Sequence, residues 1–513
     1  MRRRSTLDAV GVGPRLVATM VEAAGAEADL LQCEDAVYRP GVLRGYEALF
    51  VSGMVTDTPS MIRVLSRWRG GPAVAGGPAF TDAARLLRAG FDYVVWGEGE
   101  VSIPHLIKLL EGRIDASEVP NLVRRVGGRV VRNPGPPWAP APPLWSVDPD
   151  ARFVRSYPAW WGARIYVEVV RGCSNFFRPT IPLPDGRRCI GCGACRSGGL
   201  RERLGCPANI PPGCGYCSVP AIFGPARSRP LEKVVREVRE LVRAGVRRVV
   251  LSAPDFLDYG RDWLVAPEPL TNPRHPPPNL RVIEELLRRV TEIPEVSAGE
   301  AYVMIENVKP NLVTEEVASL LGKYLRGTPV SVGMETGHPA HHAAMGRPSR
   351  VEEVFRAVAL LRKAGLKPYV YVIHGLPGED RGVVRATVRA VRRVWRLGAE
   401  RITLYRFTPL KGSAFEGFPR PPPAVKSVAR PLYTLVRRLN YVAKRRLVGR
   451  EVKAVGVAVS KDGVLIAYTL PHGPVIRVRA GPHAGRLLGK VFTARVVRAV
   501  SDRVVEGVAE AAL

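Results

Sequence analysis

Seven of the eight cysteines in this chain of 513 residues lie between Cys173 and Cys217, and only Cys33 stands apart. No other feature limits the fold as much, because thiols packed this densely must either share a metal or pair as disulfides. Nothing points to export. The start, MRRRSTLDAVGVG, is basic but has no apolar core or cleavage site behind it, and no apolar run nears the roughly 18 residues of a membrane span. The expected compartment is the cytoplasm, where such cysteines bind metal more often than they pair. Cys214 and Cys217 stand two residues apart in GCGYCS with Tyr216 between them, while Cys189, Cys192, Cys195 and Cys206 follow C-x2-C-x2-C-x10-C-P.

The pattern around the cysteines is α/β. Residues 7–110 alternate β-like runs (YEALFVSG, GGPAVAGG, DYVVWGE) with helix-like ones, which predicts an N-terminal doubly wound parallel sheet over 1–115. A linker over 116–160 contains the proline-rich NPGPPWAPAPPLW. From Ala163 a second alternation runs through IYVEVV, RRVVLSAP, EVSAGEAYVM, PVSVGMETG, PYVYVIHG and ITLYRFTPL. Six βα units are too few for an eight-fold barrel, so a partial (β/α)6 barrel is expected over 161–425, with its chemistry at the C-terminal strand ends. The cysteine-rich stretch 174–213 is an insertion in it. A basic helical segment (426–446) follows, then five short strands over 447–513 that suggest a small β-barrel of the nucleic-acid-binding kind.

The strand IYVEVV runs straight into EVVRGCSN, which puts Cys173 at a strand end. With the insertion set aside, Cys173 joins GCGYC in a three-cysteine loop. In this arrangement the sequence resembles the radical S-adenosylmethionine (SAM) superfamily, whose loop reads C-x3-C-x2-C with an aromatic before the last cysteine; the long insertion after Cys173 is the departure. The resemblance implies that Cys173, Cys214 and Cys217 hold a [4Fe–4S] cluster with one open iron, which SAM chelates through its amino and carboxylate groups. An electron from a ferredoxin or flavodoxin would then cleave SAM to a 5′-deoxyadenosyl radical that takes hydrogen from an unactivated carbon. It also assigns cofactor contacts to Tyr216, to Glu335 of METG, and to Gly375, Pro377, Gly378 and Glu379 of VIHGLPGED. Taken alone, GLPGE is a common turn sequence and Glu335 could be a salt-bridge carboxylate.

The four insertion cysteines admit two readings. Four-thiolate zinc clips are common, but zinc ribbons pair two C-x2-C knuckles, whereas C-x2-C-x2-C with a distant C-P resembles bacterial ferredoxins. The spacing therefore favours a second, auxiliary [4Fe–4S] cluster whose four thiolates suit electron transfer or structure. His341 and His342, beside METG, are candidates for proton transfer or for hydrogen-bonded structural roles. Cys33, in LLQCED, reads as an incidental thiol.

The flanks suggest the substrate. GGPAFTDAARLLRAGFDYVVWGEGE resembles the cobalamin-binding domain that precedes many radical SAM enzymes, yet no histidine precedes His105, so cobalamin is possible without a protein ligand. GREVKAVGVAV, KDG, GPVIRV and GKVFTARVV resemble the RNA-binding TRAM domain of tRNA methylthiotransferases. Charge agrees with RNA: the net charge is +29, residues 1–110 carry twelve basic and twelve acidic side chains, and 380–446 carry seventeen basic against three acidic. Gln32 is the only glutamine, as expected of a thermophile. The expected protein is a monomeric enzyme transferring methyl or methylthio groups to an unactivated carbon of RNA, tRNA first. The alternatives are a cobalamin-dependent radical methylase of a protein, lipid or small molecule, and a non-catalytic RNA-binding zinc protein.

Overall fold

The computed structural model describes residues 8–479 and 481–510, so the basic start of the chain and Ala480 lie outside the described residues. The first strand, β1 (Ala9–Val10), belongs to the central domain; the N-terminal sheet is β2 (Leu49–Ser52), β3 (Ala73–Gly76), β4 (Tyr93–Val95), β5 (Leu122–Val126) and β6 (Arg129–Arg132) in that order. Strands β2, β3 and β4 are parallel, as their alternation with helices predicts. Met61, Val64 and Leu86 cover one face, and Leu106 with Ile103 and Ile107 covers the other. Beyond residue 115, in the stretch expected to be linker, β5 and β6 add an antiparallel hairpin to the edge. Its turn is Gly127–Gly128, both with positive φ (55° and 78°), the backbone that a two-residue hairpin requires. The signal VRRVGGRVVR was present, but within a stretch read as linker.

The central domain is an open parallel barrel in two four-stranded sheets. β1, β7 (Arg164–Glu168), β10 (Arg248–Ser252) and β11 (Tyr302–Ile305) form one; β12 (Asn307–Val308), β13 (Pro329–Glu335), β14 (Lys367–His374) and β15 (Arg401–Arg406) form the other. A separate two-stranded pair, β8 (Val170–Arg171) with β9 (Arg227–Ser228), follows β7. The sheets divide at Glu306, between β11 and β12. The period-2 alternation decides what faces where: Ile165, Val167, Val249, Leu251, Val330, Val332, Val370, Val372 and Ile402 pack outward against the helices in one large core. The amphipathic helix Leu231–Arg243 supplies Val234, Val235, Val238, Leu241 and Val242 to that core.

The C-terminal strands β16 (Glu451–Val459), β17 (Leu465–Thr469), β18 (Val475–Arg479), β19 (Val491–Ala499) and β20 (Val504–Glu510) close into the expected barrel in the order β16-β17-β18-β20-β19. Closure removes the exposed edges that five short strands would otherwise present. This barrel sits under the N-terminal ends of the central strands. Trp161 Nε1 donates to the Gly456 carbonyl at 2.9 Å, Tyr369 Oη and His472 Nδ1 stand 3.1 Å apart, and the Arg248 guanidinium lies 5.0 Å from the Tyr468 ring.

Candidate active site

The cysteine loop is assembled from two distant segments. Gly172, with φ 79°, brings the chain so close to Pro225 that a Cβ would stand 2.0 Å from its carbonyl oxygen, and Cys173 N–H donates to the Gly224 carbonyl at 3.1 Å. Only glycine permits that approach. Cys214 and Cys217 close a tight turn through the Cys217 N–H to the Cys214 carbonyl at 2.8 Å. Gly215 between them uses both its backbone groups, donating to the Met345 carbonyl and accepting from Phe415 N–H, each at 2.8 Å. Its missing side chain makes room for the Phe415 ring, which a Cβ would meet at 2.3 Å.

The structure thus brings Cys173, Cys214 and Cys217 together, as expected, and surrounds them with donors. Asn175 gives its backbone N–H to Cys173 Sγ (3.4 Å) and its side-chain amide to Cys214 Sγ (3.3 Å) and to the Gly346 carbonyl (3.1 Å). Burial, and then the charge of neighbouring thiols, pushes Cys217 up to about 12; burial pushes Cys173 up to about 11, against the pull of Lys309. Such thiols ionise when a metal takes the proton's place, so loading the site releases protons. No group of three or more His, Cys, Asp or Glu among the described residues stands at single-ion spacing. A cubane differs from a single ion in that each thiolate binds its own iron. A three-thiol loop with Cys173 buried, Cys214 and Cys217 half-buried and N–H donors to sulfur fits that group.

Glu335 and Tyr216 meet beside this loop through a residue the motifs did not reveal. Arg347 donates to Tyr216 Oη at 3.0 Å and to the Gly333 carbonyl at 2.7 Å, lies 3.8 Å from Cys214 Sγ, and pairs with Glu335 at 3.5 Å. Glu335 follows a bulge and holds φ 60°, a left-handed backbone uncommon outside glycine. Burial pushes its carboxyl up, opposed by Arg347 and a Tyr216 hydrogen bond.

GLPGE lies at the end of β14, next to the METG loop. His341 joins the two: Nδ1 is 3.2 Å from Thr336 Oγ1 and Nε2 is 2.8 Å from the Pro377 carbonyl. His342 is equally occupied, with Thr336 O and Ser349 Oγ each at 3.3 Å, and burial drives it down to about 3. Both rings are structural ties, so the expectation of proton transfer by them is not supported. Glu379 folds back so that Oε1 accepts from Gly375 N–H at 2.8 Å, and burial raises it to about 7. Gly375 and Gly378 take φ 74° and 80°; Pro421 presses on the first and His341 on the second.

A buried ionic cluster supports Cys173 from below. Lys309 Nζ donates to Ser174 Oγ (2.8 Å) and Asp258 (2.7 Å) and pairs with Asp255 (3.1 Å), while Ser174 Oγ donates to Asp258 (2.8 Å) and Arg261 also engages it. Removing one partner from so dry a cluster would strand the others. These residues lie at strand ends in sequence but carry no recognisable motif.

The insertion is held differently. Arg178, buried, donates to the carbonyls of Ile210 (2.9 Å), Phe176 (3.1 Å), Arg203 (2.9 Å) and Leu204 (3.1 Å), tying both ends of the excursion to one side chain. Cys189 and Cys206 pack on the apolar cluster of Leu183, Ile210 and Phe415, to which Tyr216 also belongs. Cys195 is half-buried and Cys192 exposed. Gly191 and Gly193, both at φ 70°, flank Cys192, and left-handed residues of this kind occur in the backbone turns of anion and Fe–S cradles.

The GEGE stretch, read as part of a cobalamin-like domain, docks that domain onto the barrel. Glu98 engages Arg227 and the Ala139 N–H, and Glu100 accepts from Arg171 at 2.7 Å, two residues before Cys173. Phe80 and Trp96, 4.8 Å apart, and Ile222 and Phe223 of the helix Val219–Phe223 fill the strand ends that face the barrel. Those apolar side chains offer a corrin packing surface without a metal ligand. Among the described residues, no helix is long and apolar enough to cross a membrane.

Comparison with known proteins agrees with this geometry. The model of the radical SAM superfamily matches residues 204–391, a span containing GCGYC, METG and GLPGE. An uncharacterized protein of Methanopyrus kandleri is 43% identical over 98% of this chain and 93% of its own, and one of Methanocaldococcus jannaschii is 34% identical over 98% and 94%. The ribosomal protein uS12 methylthiotransferase RimO of Chloroflexus aurantiacus is 25% identical over 49% of this chain and 52% of that one, so the chain spans about half of that relative's length. In fold, the chain is similar to the radical SAM methyltransferase TsrM of Kitasatospora setae (TM-score 0.56, 19% identity, 80% of this chain and 74% of that one) and to the cobalamin-dependent radical enzyme OxsB (0.53, 12%, 75% and 50%). The three-cysteine loop at the strand ends, the matched family model and the full-length relatives lead to one conclusion: the chain belongs to the radical SAM superfamily and is a radical SAM enzyme, with the [4Fe–4S] cluster and SAM that this fold implies.

Proposed function

We propose that this enzyme transfers a methyl or methylthio group to an unactivated carbon of RNA, with tRNA the leading substrate. The observation that carries the reading is the closed five-strand barrel docked beneath the catalytic barrel by Trp161, Tyr369 and Arg248, directly after the strongly basic stretch 380–446. A basic helix (Arg430–Arg445) and a small β-barrel suit phosphate contacts that position a strand without reading its sequence. In this reading 447–513 acts as a TRAM-like module and 1–115 as a docked, cobalamin-binding-like domain.

In the active site, Cys173, Cys214 and Cys217 hold the cluster, and Tyr216, Glu335 and the GLPGE residues Gly375, Pro377, Gly378 and Glu379 line the SAM site. When bound, cluster and SAM supply the one-electron chemistry that opens a C–H bond, with electrons from a ferredoxin or flavodoxin. Arg347 positions Tyr216 and Glu335 against the loop, and Asn175 holds the thiolates by N–H donation. Cys189, Cys192, Cys195 and Cys206 hold an auxiliary [4Fe–4S] cluster; the left-handed glycines that flank Cys192 support it. The deciding experiment is nucleoside mass spectrometry of total tRNA from a deletion strain against its parent. Loss of one modified nucleoside is expected, and its mass separates methyl from methylthio transfer. An unchanged profile would move the substrate to proteins, lipids or small molecules.

A further inference from the structure

The same alternation that sends valine and isoleucine outward sends an unusual set inward. The barrel lumen receives Arg164, Tyr166 and Glu168 from β7, Val250 and Ser252 from β10, Met304 from β11 and Glu306 from the break after it, Ser331 and Gly333 from β13, Tyr369, Tyr371 and Ile373 from β14, and Arg401, Thr403 and Tyr405 from β15. A lumen whose only task is packing is filled by branched apolar residues. This one is largely aromatic and polar, with Val250 and Met304 its buried apolar members, and it is open: Tyr166, Tyr371 and Glu306 are half-buried and Tyr405 is 48% exposed.

Its parts are ordered. Ser331 Oγ donates to Tyr371 Oη at 2.7 Å, and the Tyr371 and Tyr405 rings meet edge to face at 5.3 Å. Tyr371 is the register partner of Gly333, whose carbonyl accepts from Arg347, the residue beside Cys214; the tyrosines therefore lie directly under the cofactor loop. Glu306 accepts from Ser252 Oγ at 2.6 Å and keeps lone pairs to spare. Arg164 pairs with Asp8 at 3.2 Å; it also lies within electrostatic reach of Tyr166, Tyr371 and Glu306, with further N–H donors left over.

Charge narrows what such a lumen accepts. Arg164, Arg248 and Arg401 line the floor, with Asp8 pairing the first two, and this excess of positive charge disfavours a cationic guest. An anionic group would meet Glu306. A neutral planar ring with an N–H donor next to a carbonyl acceptor satisfies both sides at once, and the tyrosines supply faces or edges for it. Among nucleobases, guanine and uracil have that lactam edge, while adenine and cytosine lack the ring N–H.

We infer that the lumen admits one unstacked nucleobase of the lactam type, with Glu306 accepting from its ring N–H, Arg164 donating to its carbonyl, and Tyr166, Tyr371 and Tyr405 packing against its ring. This rests on the RNA reading above and specifies the base. The test titrates guanosine, uridine, adenosine and cytidine 5′-monophosphates into the reconstituted full chain by calorimetry, alongside filter binding of an unmodified tRNA transcript. Guanosine and uridine monophosphates are expected to bind at least ~10-fold tighter than the other two, as one well-placed bidentate pair supplies. Glu306→Gln should abolish that preference, while Tyr405→Ala should weaken all four alike. Equal binding of the four nucleotides, or a preference that survives in folded Glu306→Gln protein, overturns the inference. If the transcript binds but the lactam preference is missing, the base assignment fails and the RNA reading stands. If the preference is present and the transcript does not bind, the RNA reading fails and the lumen assignment stands.

Discussion

The two cysteine sites are neighbours in sequence and opposites in construction. Cys173, Cys214 and Cys217 are gathered from two segments by glycines that tolerate backbone contact, and they are surrounded by Asn175, Arg347 and the Lys309 cluster. Cys189, Cys192, Cys195 and Cys206 come from one short excursion, half-exposed, with Arg178 holding its ends and glycine turns shaping its middle. The first site is built by the fold. The second is built by local sequence and attached to the fold. Damage at the first should therefore spread, and damage at the second should stay local.

The largest effect should come from Cys217→Ala, which is expected to abolish formation of 5′-deoxyadenosine and to remove one cluster's iron while leaving the insertion's metal in place. Loss of both metal centres together would mean that the two sites are one cooperative unit and would break the contrast. Next is Arg347→Met, which leaves Glu335 buried beside an unpaired Tyr216. Stranding a buried charge costs about 3–5 kcal/mol, so a clear fall in thermal midpoint together with weakened SAM binding is expected, partly restored in Arg347→Lys.

Arg178→Met probes the attachment. Four carbonyls lose a charged donor, with an expected cost of about 3 kcal/mol and new protease cuts confined to 185–210, seen by mass spectrometry. Cleavage in the central barrel instead would show that the insertion is part of its core. Cys192→Ser should leave the unfolding midpoint nearly unchanged, because the side chain is exposed, yet lower the iron content. Zinc in its place, with no change in iron, would assign the insertion to a structural clip.

The smallest effect concerns pH. Burial raises Glu379 from its ordinary value of 4.5 to about 7, so ionising it in the folded protein is unfavourable. Its share of stability is complete below the unfolded value and is lost as pH rises through 7. The shift corresponds to at most about 3 kcal/mol, reduced by partial solvent access. Glu379→Gln, which keeps the acceptor for Gly375 N–H, should flatten the stability profile between pH 5 and 7 in denaturant titrations. An unchanged slope would place the titrating group elsewhere.

The periodicities were legible because they are local. Alternation in IYVEVV, PVSVGMETG and PYVYVIHG marks strands whose apolar sides must be covered, and five short strands with turn residues give a small barrel. The Gly127–Gly128 hairpin was equally local and was missed because proline-rich surroundings suggested linker. Cysteine spacing, too, could be read without a structure, since the distance between thiols along the chain already restricts which metal they can share.

Other features depended on residues far apart in sequence. Arg347 reaches Tyr216 across 131 positions, Asn175 reaches Cys214 across 39, and Arg171 reaches Glu100 across 71. None of these belongs to a short motif, because what selects each one is a partner left without a counter-charge or donor when the fold closes. The sequence by itself determined the strands, the cysteine loop and the basic C-terminal third, through local spacing and charge. Only the tertiary structure decided which arginine neutralises the site, that His341 and His342 serve as ties, and that the GEGE carboxylates dock a domain, because burial sets the cost of an unpaired polar group and burial is a property of the whole fold.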